Sequence, residues 1–384
     1  MKIAIIVCTF PPYKGGMGNA AWEQARQLAK LGNEVTVFTP RYNKGQKKFE
    51  EMEGVRVRRL TSFFRYGNSA FLGQLFWKLK DFNVVFLHYP FFGASEIVWL
   101  HCLFQKAHEY ICEFLRIFLR IIFKKDFIFT KKPKLVMQYH MDVKGKGFLG
   151  LFFKIYAKMW MPWILKSADR IIVSSFDYAE SSDARKLVDK KWVELPFGVN
   201  LFQENNPSTK LGTGKTRKQE IKGLDSPFNS PPYQGGDNRK EKIVLFVGGL
   251  DKAHYFKGVD VLIEACSKLN IDPSTRLGAG HWSLIIVGKG DLLSYYESLV
   301  KERGLEDRIR FVGGVSDLEL GEYYRKADVL VLPSIDKCEA FGIVLIEAMN
   351  YGVPVIATDL AGVRSVVDNE VNPSTTSTSS GQAG

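Results

Sequence analysis

The chain has 384 residues, 46% hydrophobic and 24% charged, long enough for two domains with separate cores and ordinary in composition for a soluble globular protein. Its formal net charge of +12 is uneven: residues 1–200 carry 32 Lys and Arg against 17 Asp and Glu, a balance of +15, and residues 201–384 carry 21 against 24, a balance of −3. No basic helix or nucleic-acid motif accompanies that charge, which argues against a nucleic-acid partner.

The opening run MKIAIIVCTF is short, is followed by no small-residue cleavage site, and reads as a buried first strand and not a signal peptide. EVTVF, NVVFLH, KLVMQYH and RIIVSS are the next strand candidates. Between the first two, AAWEQARQLAKLG has apolar residues at helical spacing and stops at Gly32. The apolar stretch from Ile111 to Phe129 is broken by Glu113, Arg116, Arg120, Lys124, Lys125 and Asp126, which disqualifies it as a membrane span. From Gly147 to Arg170, basic residues stand beside large apolar ones. Such a segment suits an anionic membrane surface, or it is core with solvated lysines.

The second half repeats the rhythm with KIVLFVGG, VDVLIEACSKL, SLIIVGKGD, LLSYYESLVKERG, RIRFVGG, ADVLVLPS, FGIVLIEAMNYG and VPVIATD. Alternating β and α runs imply parallel sheets covered by helices. The fold class expected is α/β, with two Rossmann-like doubly wound domains facing each other across a cleft. The domains are placed at 1–200 and 242–371, with an inter-domain insert at 201–241 and a low-complexity tail at 372–384. Five cysteines, an odd number with no C-x-x-C pair, fit reduced thiols in the cytoplasm better than a disulfide framework or a zinc site.

Three segments break the rhythm, and all begin alike: NPSTKLGTG at Asn206, DPSTRLGAG at Asp272 and NPSTTSTSS at Asn372. Shared [ND]-P-S-T starts suggest related repetitive elements inserted into the coding region. Their composition predicts surface loops or disorder, not core strands. LGTGKTR resembles a phosphate loop, but Thr209 stands where the pattern needs Gly and no strand precedes it.

Two places could carry chemistry. After the first strand, Gly15, Gly16 and Gly18 precede a helix; paired glycines admit a ligand close to the backbone, and helix N–H groups suit a phosphate. They could equally make only a tight turn. Gly16-x-Gly18-x-x-Ala21 also fits a dinucleotide fingerprint, but the second strand ends Phe38-Thr39-Pro40 with no acid to hold a ribose. The second place is Cys338 to Met349, where Glu339 and Glu347 lie eight apart across a helix start. Glu347 sits among apolar residues and needs a partner, for which ribose hydroxyls are suitable. The helix N-terminus between the two can face a diphosphate. A surface salt bridge would account for Glu339 taken alone.

E-A-F-G-x-x-x-x-E-A-M followed by G-V-P-V-I-A-T resembles the EX7E signature of the family-four retaining glycosyltransferases, which have the GT-B fold. The glycine loop, KLVMQYHMD, ADRIIVSS, PFGVN, FVGGLDKAHYFKG and ADVLVLPS resemble blocks of that family in order, over about residues 1–200 and 240–367. The resemblance implies a nucleotide-sugar donor and no cofactor, while a glycan or lipid-linked acceptor is suggested only by the basic, aromatic-rich first half. It implies that Gly15 and Gly16 line the loop touching the donor phosphate, and that His140 lies near the reacting sugar. Lys257 would neutralise the leaving diphosphate, Glu339 would hold sugar hydroxyls and Glu347 the ribose. Phe341, Gly342 and Ile343 would form the helix start at the donor. Alone, His140 would read as a core residue and Lys257 as a solvated one. Gly249 stands where the family has an arginine, with Lys252 as its substitute. No D-x-D occurs, which favours a metal-independent route. Family members continue past VIATDLAGVRSVV with two more units and a helix returning to the first domain. A chain cut short there is expected to expose apolar surface and to turn over weakly. The alternatives are an inactive remnant that binds a nucleoside diphosphate and a nicotinamide-dependent oxidoreductase.

Overall fold

The computed structural model describes residues 1–13, 15–123, 133–143, 147–188, 191–198, 242–271 and 282–367. All three [ND]-P-S-T segments lie outside these residues. The chain divides into two compact units, Met1–Phe197 and Gly198–Gly384.

The sheet of unit 1 is built from β1 (Lys2–Ile6), β2 (Glu34–Pro40), β3 (Phe49–Met52), β4 (Val55–Leu60), β7 (Val84–Tyr89), β8 (Lys134–Tyr139), β9 (Arg170–Val173) and β10 (Trp192–Glu194). Their order is β10-β9-β8-β7-β1-β2-β4-β3. Every pair is parallel except β3 with β4. A small hairpin of β5 (Arg65–Tyr66) and β6 (Ser69–Ala70) stands apart. The central strands are continuous apolar runs because helices cover a parallel sheet on both faces. Helix α1 (Gly16–Lys30) buries Gly18, Ala21 and Ala25, the two alanines in a cluster with Ile3, Ile5, Val35 and Val37. The chain leaves it through Gly32 at φ 80°, a conformation that favours glycine.

Short helix α2 (Leu75–Lys78) precedes α3 (Ser95–Phe123), 29 residues long. The carboxylate of Glu96 accepts from the Gly93 N–H at 2.7 Å. Val98, His101 and Cys102 are buried, whereas Leu103, Phe104, Tyr110 and Ile111 are exposed. Helices α4 (Gly147–Met159) and α5 (Met161–Ser167) take up the basic, aromatic-rich segment and divide it. Tyr156, Met161, Ile164 and Leu165 are core, while Leu151, Phe152, Ile155, Met159, Trp160 and Trp163 are exposed. Among the described residues no helix is long and apolar enough to cross a membrane. Helices α6 (Phe176–Ser181) and α7 (Asp183–Leu187) complete the unit, each with a serine cap.

In unit 2, β11 (Lys242–Val247), β12 (Trp282–Val287), β13 (Ile309–Gly313), β14 (Val329–Leu332) and β15 (Val355–Ala357) form an all-parallel sheet in the order β13-β12-β11-β14-β15. Helices α8 (Val259–Ile271), α9 (Leu293–Glu302), α10 (Asp317–Lys326) and α11 (Ile343–Asn350) connect them. One core cluster joins Leu245, Ile285, Leu330 and Leu345, and another joins Phe246, Leu284, Ile286 and Val300. Alternate residues of a strand thus face opposite layers. These two sheets are the Rossmann-like pair expected from the β/α rhythm. In each, the chain fills one side of its first strand and then the other, so the order reverses between β1 and β7 and between β11 and β14. Open parallel sheets bind ligands beyond the carboxyl ends of the strands at such a reversal.

Candidate functional site

At the unit 2 reversal, β11 runs out into Gly248 and Gly249. A Cβ on Gly248 would lie 2.6 Å from Lys257 Cδ, and one on Gly249 would lie 2.7 Å from His254 Nδ1, so two side chains already fill the space over this backbone. Both belong to a 3-10 turn, Lys252–Lys257. Asp251 caps it: its carboxylate accepts from the Ala253 N–H at 2.9 Å and lies 2.9 Å from His254 Nδ1. Gly258 follows at φ 68°, where a Cβ would sit 2.1 Å from the Pro333 carbonyl oxygen. That contact seats the turn against the exit of β14 and aims Lys257 at the loop beyond it.

There Lys257 Nζ donates to Glu339 Oε2 at 2.6 Å, with side chains only 14% and 11% exposed. Ser334 Oγ adds a longer bond of 3.4 Å to the same oxygen. Glu339 Oε1 accepts from the Gly342 N–H at 3.2 Å. Gly342 is left-handed, at φ 78°, and precedes α11; a Cβ on it would meet Leu332 Cδ2 at 2.8 Å. Phe341 is buried. Ile343 opens the helix, where the Leu345 N–H turns back to the Gly342 carbonyl at 2.9 Å. One turn on, Glu347 Oε2 accepts from the Tyr324 hydroxyl at 2.7 Å. Burial raises the Glu347 pKa, with nearby Asp317 adding to the rise and Tyr324 and Lys257 opposing it. Lys252 is exposed, and its backbone N–H is held by Asp291 at 3.0 Å. The structure therefore gathers Lys257, Glu339, Gly342 and Ile343 at one strand exit. It lays the ring of His254, and not Lys252, over Gly249.

In unit 1, Gly15 caps α1 with extended backbone and Gly16 is the first helical residue. A Cβ on Gly16 would meet nothing within 4 Å, whereas one on Gly18 would press on the Thr9 carbonyl oxygen at 3.0 Å. Gly18 serves helix-on-strand packing and Gly16 leaves the backbone open. The dinucleotide reading loses further ground here: Glu34, at the start of β2, pairs with Arg56 at 2.8 Å.

His140 follows β8, and its N–H donates to the Tyr89 carbonyl at 2.9 Å. Its ring stacks on Phe197 with centroids 5.6 Å apart, and burial pushes its pKa down to about 3. His140 Nε2 lies 2.8 Å from Nδ1 of His88, a fully buried ring held well below the usual histidine range by burial and by His140. Sequence reasoning missed His88, although NVVFLHYP and KLVMQYH each carry a histidine at a strand end. It also missed Asp142, which accepts from Tyr139 and Ser182 hydroxyls at 2.6 Å each and gives its N–H to the Tyr178 hydroxyl at 2.6 Å. Those bonds pin the loop behind His140. Among the described residues, no cluster of three His, Cys, Asp or Glu side chains is placed to hold a metal ion.

Residues 15–198 match the glycosyl transferase 4-like domain family and residues 232–379 match the glycosyl transferases group 1 family. An uncharacterized glycosyltransferase of Methanocaldococcus jannaschii is 26% identical over 377 residues, 97% of this chain and 84% of the relative. A D-inositol 3-phosphate glycosyltransferase of Corynebacterium aurimucosum is 37% identical, with 94% of this chain and 81% of the relative covered. Sucrose-phosphate synthase from Thermosynechococcus elongatus superposes with a TM-score of 0.61 at 23% identity, covering 96% of this chain and 84% of that one. With the two sheets, their reversals and both halves matched, the chain belongs to the group 1 glycosyltransferases and is a transferase of the GT-B fold.

Proposed function

We propose that the enzyme moves a sugar from a nucleoside-diphosphate donor to a glycan or lipid-linked acceptor, with retention of anomeric configuration and without a metal. The observation that carries this reading is the Lys257–Glu339 pair at 2.6 Å, set at the sheet reversal beside the start of α11. Departure of a nucleoside diphosphate builds negative charge on the β-phosphate, and a fixed cation beside a helix N-terminus lowers that barrier. Lys257 turns to the diphosphate, and Glu339 is released to accept sugar hydroxyls. Glu347 keeps Tyr324 on one oxygen and offers the other to the ribose. Gly15 and Gly16 line the donor phosphate, and His140 stands by the reacting sugar. Retention rests on the EX7E spacing, and metal independence on the lack of a D-x-D sequence.

The test is a thermal-shift panel of UDP, GDP, ADP and NAD, followed by a transfer assay with the matching nucleotide sugar. Stabilisation by one nucleoside diphosphate and product with retained configuration are expected. Binding without transfer would leave only the remnant, and stabilisation by NAD alone would sink the reading.

The exposed apolar side chains of α3, α4 and α5 stand with Lys106, Lys154, Lys158 and Lys166. That mixture supports peripheral contact with an anionic membrane at its cytoplasmic face. Sedimentation with phosphatidylglycerol vesicles should exceed that with phosphatidylcholine vesicles, and equal sedimentation would argue against it.

A further inference from the structure

His88 and His140 end adjacent parallel strands, and their facing nitrogens are 2.8 Å apart with ring planes 21° from parallel. Both rings are desolvated and neutral near pH 7. Two neutral imidazoles at that distance share one proton: one nitrogen donates and the other accepts. The remaining nitrogens decide which. His88 is 0% exposed, and its Nε2 has no protein partner. Its register partner across the β7–β8 ladder is Gln138. The Oε1 of that side chain is taken by Gln24 Nε2 at 3.2 Å, so its unpaired atom is Nε2, a donor. A proton on His88 Nε2 would be a second stranded donor on the facing strand. Buried N–H groups without acceptors are rarer and costlier than an acceptor with a spare lone pair.

We infer that His88 donates from Nδ1 to His140 Nε2 and so fixes His140 as the Nδ1-protonated tautomer, a hydrogen-bond donor to its ligand and not a base. His88 is a positioning residue; its role in transfer rests on the reading that places His140 beside the reacting sugar, whereas the tautomer does not. The ligand group that meets His140 is then an acceptor oxygen, such as a sugar hydroxyl or ring oxygen. The proton of the attacking hydroxyl then passes to an oxygen of the departing diphosphate and not to His140.

Two-bond 1H–15N correlation spectra of the full chain at neutral pH read the tautomer directly. His140 should show a protonated Nδ1 and a bare Nε2. His88→Asn, which keeps an N–H near the same place, should preserve this pattern, and His88→Phe, which keeps only the shape, should move the proton to Nε2. A wild-type His140 protonated on Nε2, or on both nitrogens, overturns the inference even if neither variant folds. So does a His88→Phe spectrum identical to wild type. With the donor identified by the nucleotide panel, His88→Phe should lower kcat about tenfold, the worth of one hydrogen bond, and leave the donor KM nearly unchanged. His88→Asn should restore it, and equal losses in both variants would overturn the positioning role. A wild-type chain that binds no nucleoside diphosphate would sink the proposed function and leave the tautomer standing.

Discussion

Beyond β11 and β14 stand a lysine and two carboxylates; at the ends of β7 and β8 stand two uncharged imidazoles with amides behind them. The first site lies at a reversal of strand order and is ionic, whereas the second lies one strand away from its unit's reversal and is neutral. In unit 2, Lys257 and Glu339 neutralise each other, so the charge needed for an anionic ligand is stored without leaving a bare buried ion. In unit 1, burial holds both rings neutral near pH 7. On the proposed function, a diphosphate is met by the first arrangement and a sugar oxygen by the second.

The contrast can be broken most severely at Gly258. Gly258→Ala places a Cβ 2.1 Å from the Pro333 carbonyl oxygen at φ 68°. It should cost more than about 4 kcal/mol, read as loss of the unit 2 transition in urea while that of unit 1 remains. Glu339→Ala strands Lys257 in a mostly buried place and should cost about 3 kcal/mol; an unchanged urea midpoint would show that solvent already shields the pair. Smaller are two pH effects of opposite sign. His140 titrates at about 3 in the fold against an ordinary 6.5, so the unfolded chain binds more protons between those values and stability falls on acidification below 6.5. His140→Phe should flatten that limb. Glu347 is raised above its ordinary 4.5, so the folded chain holds its proton longer and stability falls as pH rises from 4.5 through its folded pKa. Glu347→Gln should gain more at about pH 7 than at about pH 4, both read from urea midpoints. The smallest effect belongs to Gly16→Ala, where a Cβ meets nothing within 4 Å: stability within about 0.5 kcal/mol of wild type, with weaker binding of a nucleoside diphosphate by calorimetry.

The central strands were legible because a strand covered on both faces is a continuous apolar run, as in IAIIV and SLIIVG. β4, VRVRRL, escaped notice because its alternate residues are charged. α3 escaped because its apolar composition raised a membrane question before a helical one. The eight-residue step from Glu339 to Glu347 was visible, but their partners were not. Lys257 lies 82 residues from Glu339, and Tyr324 is brought to Glu347 only when α10 and α11 pack on one face. The insertion of His254 over Gly249, where Lys252 was expected to matter, depends on Asp251 reversing the chain within three residues. Spacing alone cannot convey that reversal. His140 was found from its strand, and His88 needed the register of the neighbouring one.

Cys338 adjoins Glu339 and is partly exposed, whereas Cys8, Cys102 and Cys266 are buried and burial lifts the thiols of Cys8 and Cys266 to about 11. Among the cysteines whose side chains are described, alkylating reagents at neutral pH should therefore find Cys338 first. The chain carries its own attachment point for a fluorophore one residue from the Lys257–Glu339 pair, where occupancy could be followed by the colour or lifetime of a dye without consuming a substrate.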